Sequence, residues 1–325
     1  MTVRRRQFLQ LATAAAACPA LARTAWAQAY PSQPIRWVVG FPPGGGADTV
    51  SRIMARWLTE RLGQPVVIEN KPGASTNLSI QAVASAPPDG YTIVFIGASA
   101  AVNVSLFDNL PYNLLRDIVP VAGLVDFPFV LIVNPKLPAT NVAELIAYAK
   151  ANPGKISLAS FGAGSSSHVA GELFKTMAGV NLVHVPYRGS AAALTDMISG
   201  QVQVMIDVMT SALPHIQSGA LRALAVAGSK RFAGLPDVPT IADTVPGYEA
   251  ASWCGVGAPR GTPPAIIERL NREINAGLND PGVKAQLAKV STTPIIFTPA
   301  ELGGYIAAEV EKWGKVVRIA GVRPE

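Results

Sequence analysis

Two stretches of this chain follow one plan, and that repetition constrains the fold more than any other feature. The first runs from the apolar segment PIRWVVG through the loop GFPPGGGAD (residues 40–48) into TVSRIMARWLTERL. Gly63, the segment PVVIEN, Lys71-Pro72-Gly73, NLSIQAVASA, Gly90 and YTIVFI follow. The second runs from KISLAS through SFGAGSSSH (160–168) into VAGELFKTMA, then Gly179, NLVHV, Tyr187-Arg188-Gly189, SAAALTDMIS, Gly200 and VQVMI. Phe41 and Phe161 lie 120 positions apart, as do Gly44 and Gly164; Gly63 with Gly179 and Gly73 with Gly189 lie 116 apart. Each stretch reads as a βαβαβ unit.

Spacing supports the helices. After Asp48, a residue type suited to an N-cap, the apolar positions Val50, Ile53, Met54, Trp57, Leu58 and Leu62 recur three and four apart and form one stripe. Val169, Leu173, Phe174 and Met177 repeat the pattern in the second unit. The strands are mostly continuous apolar runs, which predicts parallel sheets covered on both faces. An α/β fold of two similar lobes follows. The tail has no counterpart in the repeat. It offers a turn-rich segment ending at YE, a strand SWCGVGAP and two amphipathic helices, PPAIIERLNREINAGL and PAELGGYIAAEVEKWGKVV, expected to return the chain to the first lobe. The layout predicts lobe one over 28–125 and 251–325 and lobe two over 126–250. Two strands, VPVAGLVDFPFVLIVN and the segment near Trp253, would form a hinge.

Ahead of the repeat, a basic start, an apolar stretch from Phe8 to Ala17 and the small-x-small end Ala25-Trp26-Ala27 describe an export signal over residues 1–27. The order Arg5-Arg6-Gln7-Phe8-Leu9 resembles a twin-arginine signal, although three arginines also suit the general secretory route. A lipid anchor at Cys18 is the weaker alternative. Cleavage after Ala27 leaves 298 of 325 residues and removes four arginines, so 27 basic against 21 acidic residues becomes 23 against 21. A balance so near neutral argues against a nucleic-acid partner. Only Cys254 remains, which excludes an internal disulfide and predicts a buried thiol. The mature chain is expected to be soluble and monomeric in the periplasm.

Three kinds of ligand could explain a glycine run between strand and helix. A dinucleotide would need Gly-x-Gly-x-x-Gly, and Pro42-Pro43 occupies that turn; a P-loop would need Gly-Lys-Ser or Gly-Lys-Thr, which is absent. No cofactor is expected. His168, His184 and His215 lack metal-ligand spacing. A hydrolase using Ser165 or Ser166 with His168 is the alternative, but a serine three residues before a histidine at a helix start more naturally caps that helix. A carboxylate remains. A helix N-terminus carries about half a unit of positive charge and unpaired N–H groups, and glycine lets a ligand approach them. Two cradles could hold an acid with roughly micromolar affinity, about −8 kcal/mol.

The series VVGFPPGGGADTVSR, VIENKPGA, PDGYT, GELFK, VPYRGSAAALTDMISGQV, LRALAVAG, LPDVPTIAD and APRGTPPAIIERLNREI, in that order, closely resembles the Bug family of periplasmic receptors for tripartite tricarboxylate transporters. The resemblance implies a two-lobed type II periplasmic binding protein that closes on a small carboxylate and serves the membrane subunits of such a transporter, or a sensor protein. Its ligand would be held mainly by loop amides and ordered water. Carried over by position, the first cradle is Phe41 with Gly44, Gly45, Gly46, Asp48 and Thr49, where Asp48 caps the helix, and Ser99 stands at the end of the third strand. The second cradle is Gly162, Ala163, Gly164, Ser165, Ser166, Ser167 and His168, with Tyr187 and Arg188 at the rim. Asp207 ends the third strand of lobe two, where it could hold water, accept from a ligand amino group or cap a turn. One departure stands out: the family commonly has glycines and asparagine after PGA, whereas this chain has Ser75-Thr76-Asn77-Leu78 beside the cleft.

Overall fold

The structure, a computed structural model, describes residues 30–322; the export signal and Cys18 lie outside them. In the first unit, β1 (Ile35–Val39) pairs in parallel with β2 (Val66–Asn70) and β3 (Thr92–Gly97). In the second, β5 (Ser157–Ser160) pairs in parallel with β6 (Val183–Pro186) and β7 (Val204–Val208). The connections are α1 (Gly46–Leu62) and α2 (Asn77–Ala84) in the first unit, α6 (Ser166–Ala178) and α7 (Ser190–Ser199) in the second. The periodic positions Val50, Met54, Leu58 and Leu62 on α1, and Val169, Leu173 and Phe174 on α6, are buried against these sheets, as an apolar stripe at helical spacing requires, whereas Ile53 and Trp57 are half-buried and Met177, expected in the stripe, is exposed.

Between the units run α3 (Ala98–Leu106), the short α4 (Leu114–Asp117), β4 (Ile118–Val133) and α5 (Val142–Ala151). After β7 come α8 (Met209–Gln217), β8 (Arg222–Val226), β9 (Ala251–Pro259), α9 (Pro264–Asn279), α10 (Pro281–Lys289), β10 (Thr293–Pro294) and α11 (Pro299–Ala320). The path of hydrogen-bonded strands is β2-β1-β3-β9-β4-β7-β5-β6, with β8 and β10 also on β4. The expectation of parallel pairing holds within each repeat unit but not at the join. There β9 runs antiparallel to β3 and β4, and β4 runs antiparallel to β7, β8 and β10. β4 supplies the join. Its first part lies on β9 and its last residues, Phe129–Val133, lie on β7 and Val130–Val133 on β8, so one 16-residue strand, roughly 50 Å long, belongs to both sheets. The chain returns through 227–250, where Ala250 N–H donates to Ala227 O at 2.8 Å before β9 begins.

Two expectations need correction. The tail carries three helices, not two, because Asp280 ends α9 and also caps α10, its carboxylate accepting from Val283 N–H at 3.0 Å, with Pro281 set at the first helical position. The last helix does not simply return to the first unit either; α11 packs on α3, on α6 and on β4, and so touches both. Cys254 is fully buried on β9, as expected, and burial pushes its thiol up.

Candidate functional site

The loops that follow β1, β3, β5 and β6, with the end of β7, converge on one cavity of about 690 Å³, counting its mouth. It lies at the carboxyl ends of the parallel strands, where open α/β sheets characteristically bind ligands. Four helices begin there. Gly46 and Ala47 of α1, Ala98 to Ala100 of α3, Ser166 of α6, and Ser190 and Ala191 of α7 all line it. Arg188 is its charged side chain among the lining residues, and no aspartate or glutamate joins it. Arg188 is exposed. The helix N-termini and the Arg188 side chain both contribute positive charge to its wall.

The α1 wall follows from its glycines. The N-cap is Gly45, in extended conformation, and not Asp48, which sits two residues inside the helix. The capping expectation fails because the Asp48 carboxylate turns back: Oδ2 accepts from Gly44 N–H at 3.0 Å and from Arg52 Nε at 2.9 Å, while Oδ1 accepts from Asn70 Nδ2 at 2.9 Å. Burial alone would raise the Asp48 pKa, but these donors hold it below the usual carboxylate range. Asp48 is thus an ionised brace under the loop. Thr49 N–H is also spent, on Gly45 O at 3.0 Å. Among the described residues the N–H groups of Gly45, Gly46 and Ala47 have no recorded partner, and all three residues line the cavity.

Across the cavity the structure divides the expected second cradle. Ser166 lines the wall, and its N–H donates to Ser99 Oγ at 3.2 Å. The rest of that loop, Gly162, Ala163, Gly164, Ser165, Ser167 and His168, lies outside the lining. Its polar groups are spent internally: Ser165 Oγ accepts from His168 N–H at 3.2 Å, Gly164 N–H donates to His168 Nδ1 at 3.0 Å, and Ser167 Oγ donates to Ile206 O at 2.5 Å. Gly164 has φ +74°, and an added Cβ there would lie 2.6 Å from Leu106 Cδ2 of α3, so this glycine serves helix packing. His168 is buried and stacks on His184 at 3.7 Å. Burial, then the neighbouring His184 and Lys175, lower its pKa to about 3, so the ring is neutral.

The start of α7 also reaches the cavity. Arg188, Gly189, Ser190 and Ala191 line the cavity. Gly189 has φ +100°, and an added Cβ there would lie 3.0 Å from Pro42 Cγ of the opposite loop, which makes it a point of close approach. Sequence reasoning placed Arg188 at the rim but missed Gly189, Ser190 and Ala191. The available signal was the repeat itself, since Gly189 occupies the position of Gly73. Tyr187 is not a lining residue; its hydroxyl donates to Asp196 Oδ2 at 2.8 Å.

Asp207 stands one layer back, fully buried. Ser190 Oγ donates to its Oδ1 at 2.7 Å and Val208 N–H donates to the same atom at 2.8 Å, while Oδ2 has no partner. Burial pushes its pKa up, to about 7, against the opposing pull of those two bonds. Aromatic rings close the sides. Phe41 meets Phe95 at 6.1 Å and Phe161 at 5.8 Å, both edge-on. Trp253, absent from the sequence-based candidates, lines the cavity while its Nε1 donates to buried Glu309 at 2.8 Å. Thr76, in the departing loop, lines it too. Among the described residues the cavity wall offers unpaired backbone N–H groups and an arginine, and no nucleophile hydrogen-bonded to a base side chain lines it. The only Ser165–His168 bond uses the histidine backbone, and the imidazole Nδ1 is already engaged, so the hydrolase reading has no support.

Comparison with known proteins agrees with this geometry. The sequence profile of the tripartite tricarboxylate transporter family receptors matches residues 50–322. Protein BugT of Bordetella pertussis is 42% identical over 316 residues, covering 96% of this chain and 95% of its own. Among solved structures, R. palustris Rpa4515 with adipate superposes with a TM-score of 0.89 at 38% identity, covering 91% of this chain and 100% of the other. MatC from Rhodopseudomonas palustris with bound malate gives 0.83 at 32% identity, covering 89% and 100%.

Proposed function

This chain belongs to the tripartite tricarboxylate transporter receptor family, and from that premise we propose that it captures a small dicarboxylate in the periplasm and delivers it to the membrane subunits of such a transporter. The observation that carries the reading is the convergence of four helix N-termini on a cavity lined by an arginine and no acidic side chain. Dicarboxylates are the bound molecules in two similar proteins, adipate in Rpa4515 and malate in MatC. One carboxylate would accept from the N–H groups of Gly45, Gly46 and Ala47, and the other from the start of α7 and Arg188. Each charge-assisted bond nets about 1.5–3 kcal/mol. Phe41, Phe161 and Trp253 would enclose the carbon chain.

The receptor works as a monomer of two bodies, 28–125 with 251–325 and 126–250, that close by bending at β4 and near Ala251. The test is calorimetric titration of the mature protein with a series of dicarboxylates from four to six carbons and matching monocarboxylates. Saturable binding of at least one dicarboxylate, tighter than its monocarboxylate, is expected. Folded protein that binds none of the series overturns the reading.

A further inference from the structure

The two ends of the strand path are not alike. β2 stands at one end and β6 at the other, each paired on one side only among the described residues. In β2, Ile35 N–H donates to Pro65 O and Lys71 N–H donates to Val39 O, both at 2.8 Å. Alternate residues of a parallel strand bond the same neighbour, so residues 65, 67, 69 and 71 face β1 while the backbone groups of Val66, Ile68 and Asn70 face outward. Val66 N–H is already taken, by Thr59 Oγ1 at 2.9 Å. The same alternation holds in β6, where Val183 N–H donates to Ile156 O at 2.9 Å and Tyr187 N–H donates to Ser160 O at 3.0 Å. His184 and Pro186 therefore face outward there. These are the repeat counterparts of Ile68 and Asn70, each 116 positions further on. Proline has no N–H to offer, and on an outer edge it stops a further strand from pairing. The second unit's edge is closed at the position where the first unit's edge is open.

Beside the open edge, Arg52, Ala55, Arg56 and Glu60 of α1 with Val66, Val67 and Ile68 of β2 line a groove that faces solvent. Arg52 Nη2 donates to Asn70 Oδ1 at 3.1 Å, so the even-numbered side chains of β2 lie on the α1 side and Val67 lies on the other. Val67 is 53% exposed. Arg52 is committed to Asp48 and Asn70. Arg56 is exposed and, among the described residues, enters no ion pair. The groove thus carries two cations to one anion, and none of its residues lines the cavity.

We propose that β2 is a docking edge whose partner is an extended acidic segment of another protein, added as an antiparallel strand. A partner residue opposite Ile68 exchanges two backbone hydrogen bonds with it. Side chains on the α1 face of the added strand are acidic and reach Arg56, while those on the other face are apolar and cover Val67. The surface is separate from the carboxylate cavity, and the proposal stands or falls without it.

The test follows the fluorescence anisotropy of a labelled, end-capped heptapeptide of alternating glutamate and valine as mature protein is added. Two control peptides replace glutamate with lysine or carry N-methyl groups on the glutamate amides. Ile68→Pro gives β2 the block that Pro186 gives β6, at an N–H that serves no ladder bond, and Arg56→Glu reverses the open charge. Saturable binding of the acidic peptide to wild type is expected, weaker by about tenfold or more with either control peptide or either variant. Circular dichroism and a melting temperature matched to wild type confirm that each variant is folded. Absence of saturable binding to wild type, equal binding of the lysine peptide, or binding undiminished in Arg56→Glu overturns the proposal, as does binding that survives Ile68→Pro. A wild-type dimer in size-exclusion chromatography that Ile68→Pro dissolves gives the edge to a second copy of this chain and overturns it too.

Discussion

Among the described residues Asp207 has no cation near its carboxylate, and its hydrogen bonds tie it to the cavity through Ser190 and Val208. Its pKa of about 7 lies above the ordinary value of 3.8 because of burial. Ionisation in the fold is thus unfavourable: the cost is absent below the unfolded pKa, grows as pH rises between the two values and is complete above about 7, where it reaches on the order of 4 kcal/mol. An incoming carboxylate raises the value further, so binding takes up a proton and affinity should fall as pH rises from 6 to 8.5. Titration of wild type and Asp207→Asn across that range checks this, the asparagine variant giving the flatter profile. A second prediction concerns Gly45, where an added Cβ meets nothing nearer than Pro42 O at 3.9 Å. Gly45→Val should keep its melting temperature while a branched side chain crowds the N–H cradle and weakens dicarboxylate binding about tenfold or more. The Asp48 brace was not legible in the sequence, since an aspartate near a helix start suits both the N-cap and the first turn. Only the positions of Gly44, Arg52 and Asn70 decide between them.

Among the elements, α11 reaches the cavity wall through a single side chain, Glu309. Trp253 on β9 and Trp313 on α11 both donate their indole N–H to Glu309 Oε2, at 2.8 and 2.9 Å. Glu309→Leu leaves two buried donors unpaired, each worth about 1–3 kcal/mol. Denaturant unfolding should show a loss of about 3 kcal/mol, and Trp253, freed at the cavity wall, should lower dicarboxylate affinity as well. The strands of both repeat units and the body of α1 were legible, because strand and helix periodicities differ and the repeat supplied each reading twice. Which of two loops lines the cavity was not. Gly162–His168 and Arg188–Ala191 both precede helices in the sequence, and what separates them is α3, whose Leu106 covers Gly164. That contact joins residues almost 60 positions apart and leaves no local trace. Helix α10 was missed for a local reason: nine residues carry too little periodicity to stand out, although the Asp280-Pro281 pair marked its start.

For the molecule as a whole, the family profile, the fold and the helix-rimmed cavity describe one object. The loops of its two units already meet across the cavity, Phe41 on Phe161 and Pro42 over Gly189. A ligand gripped on both sides should bias the chain toward this arrangement. Small-angle scattering with saturating dicarboxylate should then show a smaller radius of gyration than without it. Ligand at a hundred times Kd should add about 2.7 kcal/mol of stability, which for a chain of this size raises Tm by roughly 5 °C.

The tie between Trp253 and Glu309 has an optical consequence. An indole whose N–H is clamped by a buried carboxylate and whose ring borders the cavity should respond in emission when a bound molecule changes the field or water there. The protein therefore carries its own dye, and occupancy of the chamber can be followed in real time without attaching a label.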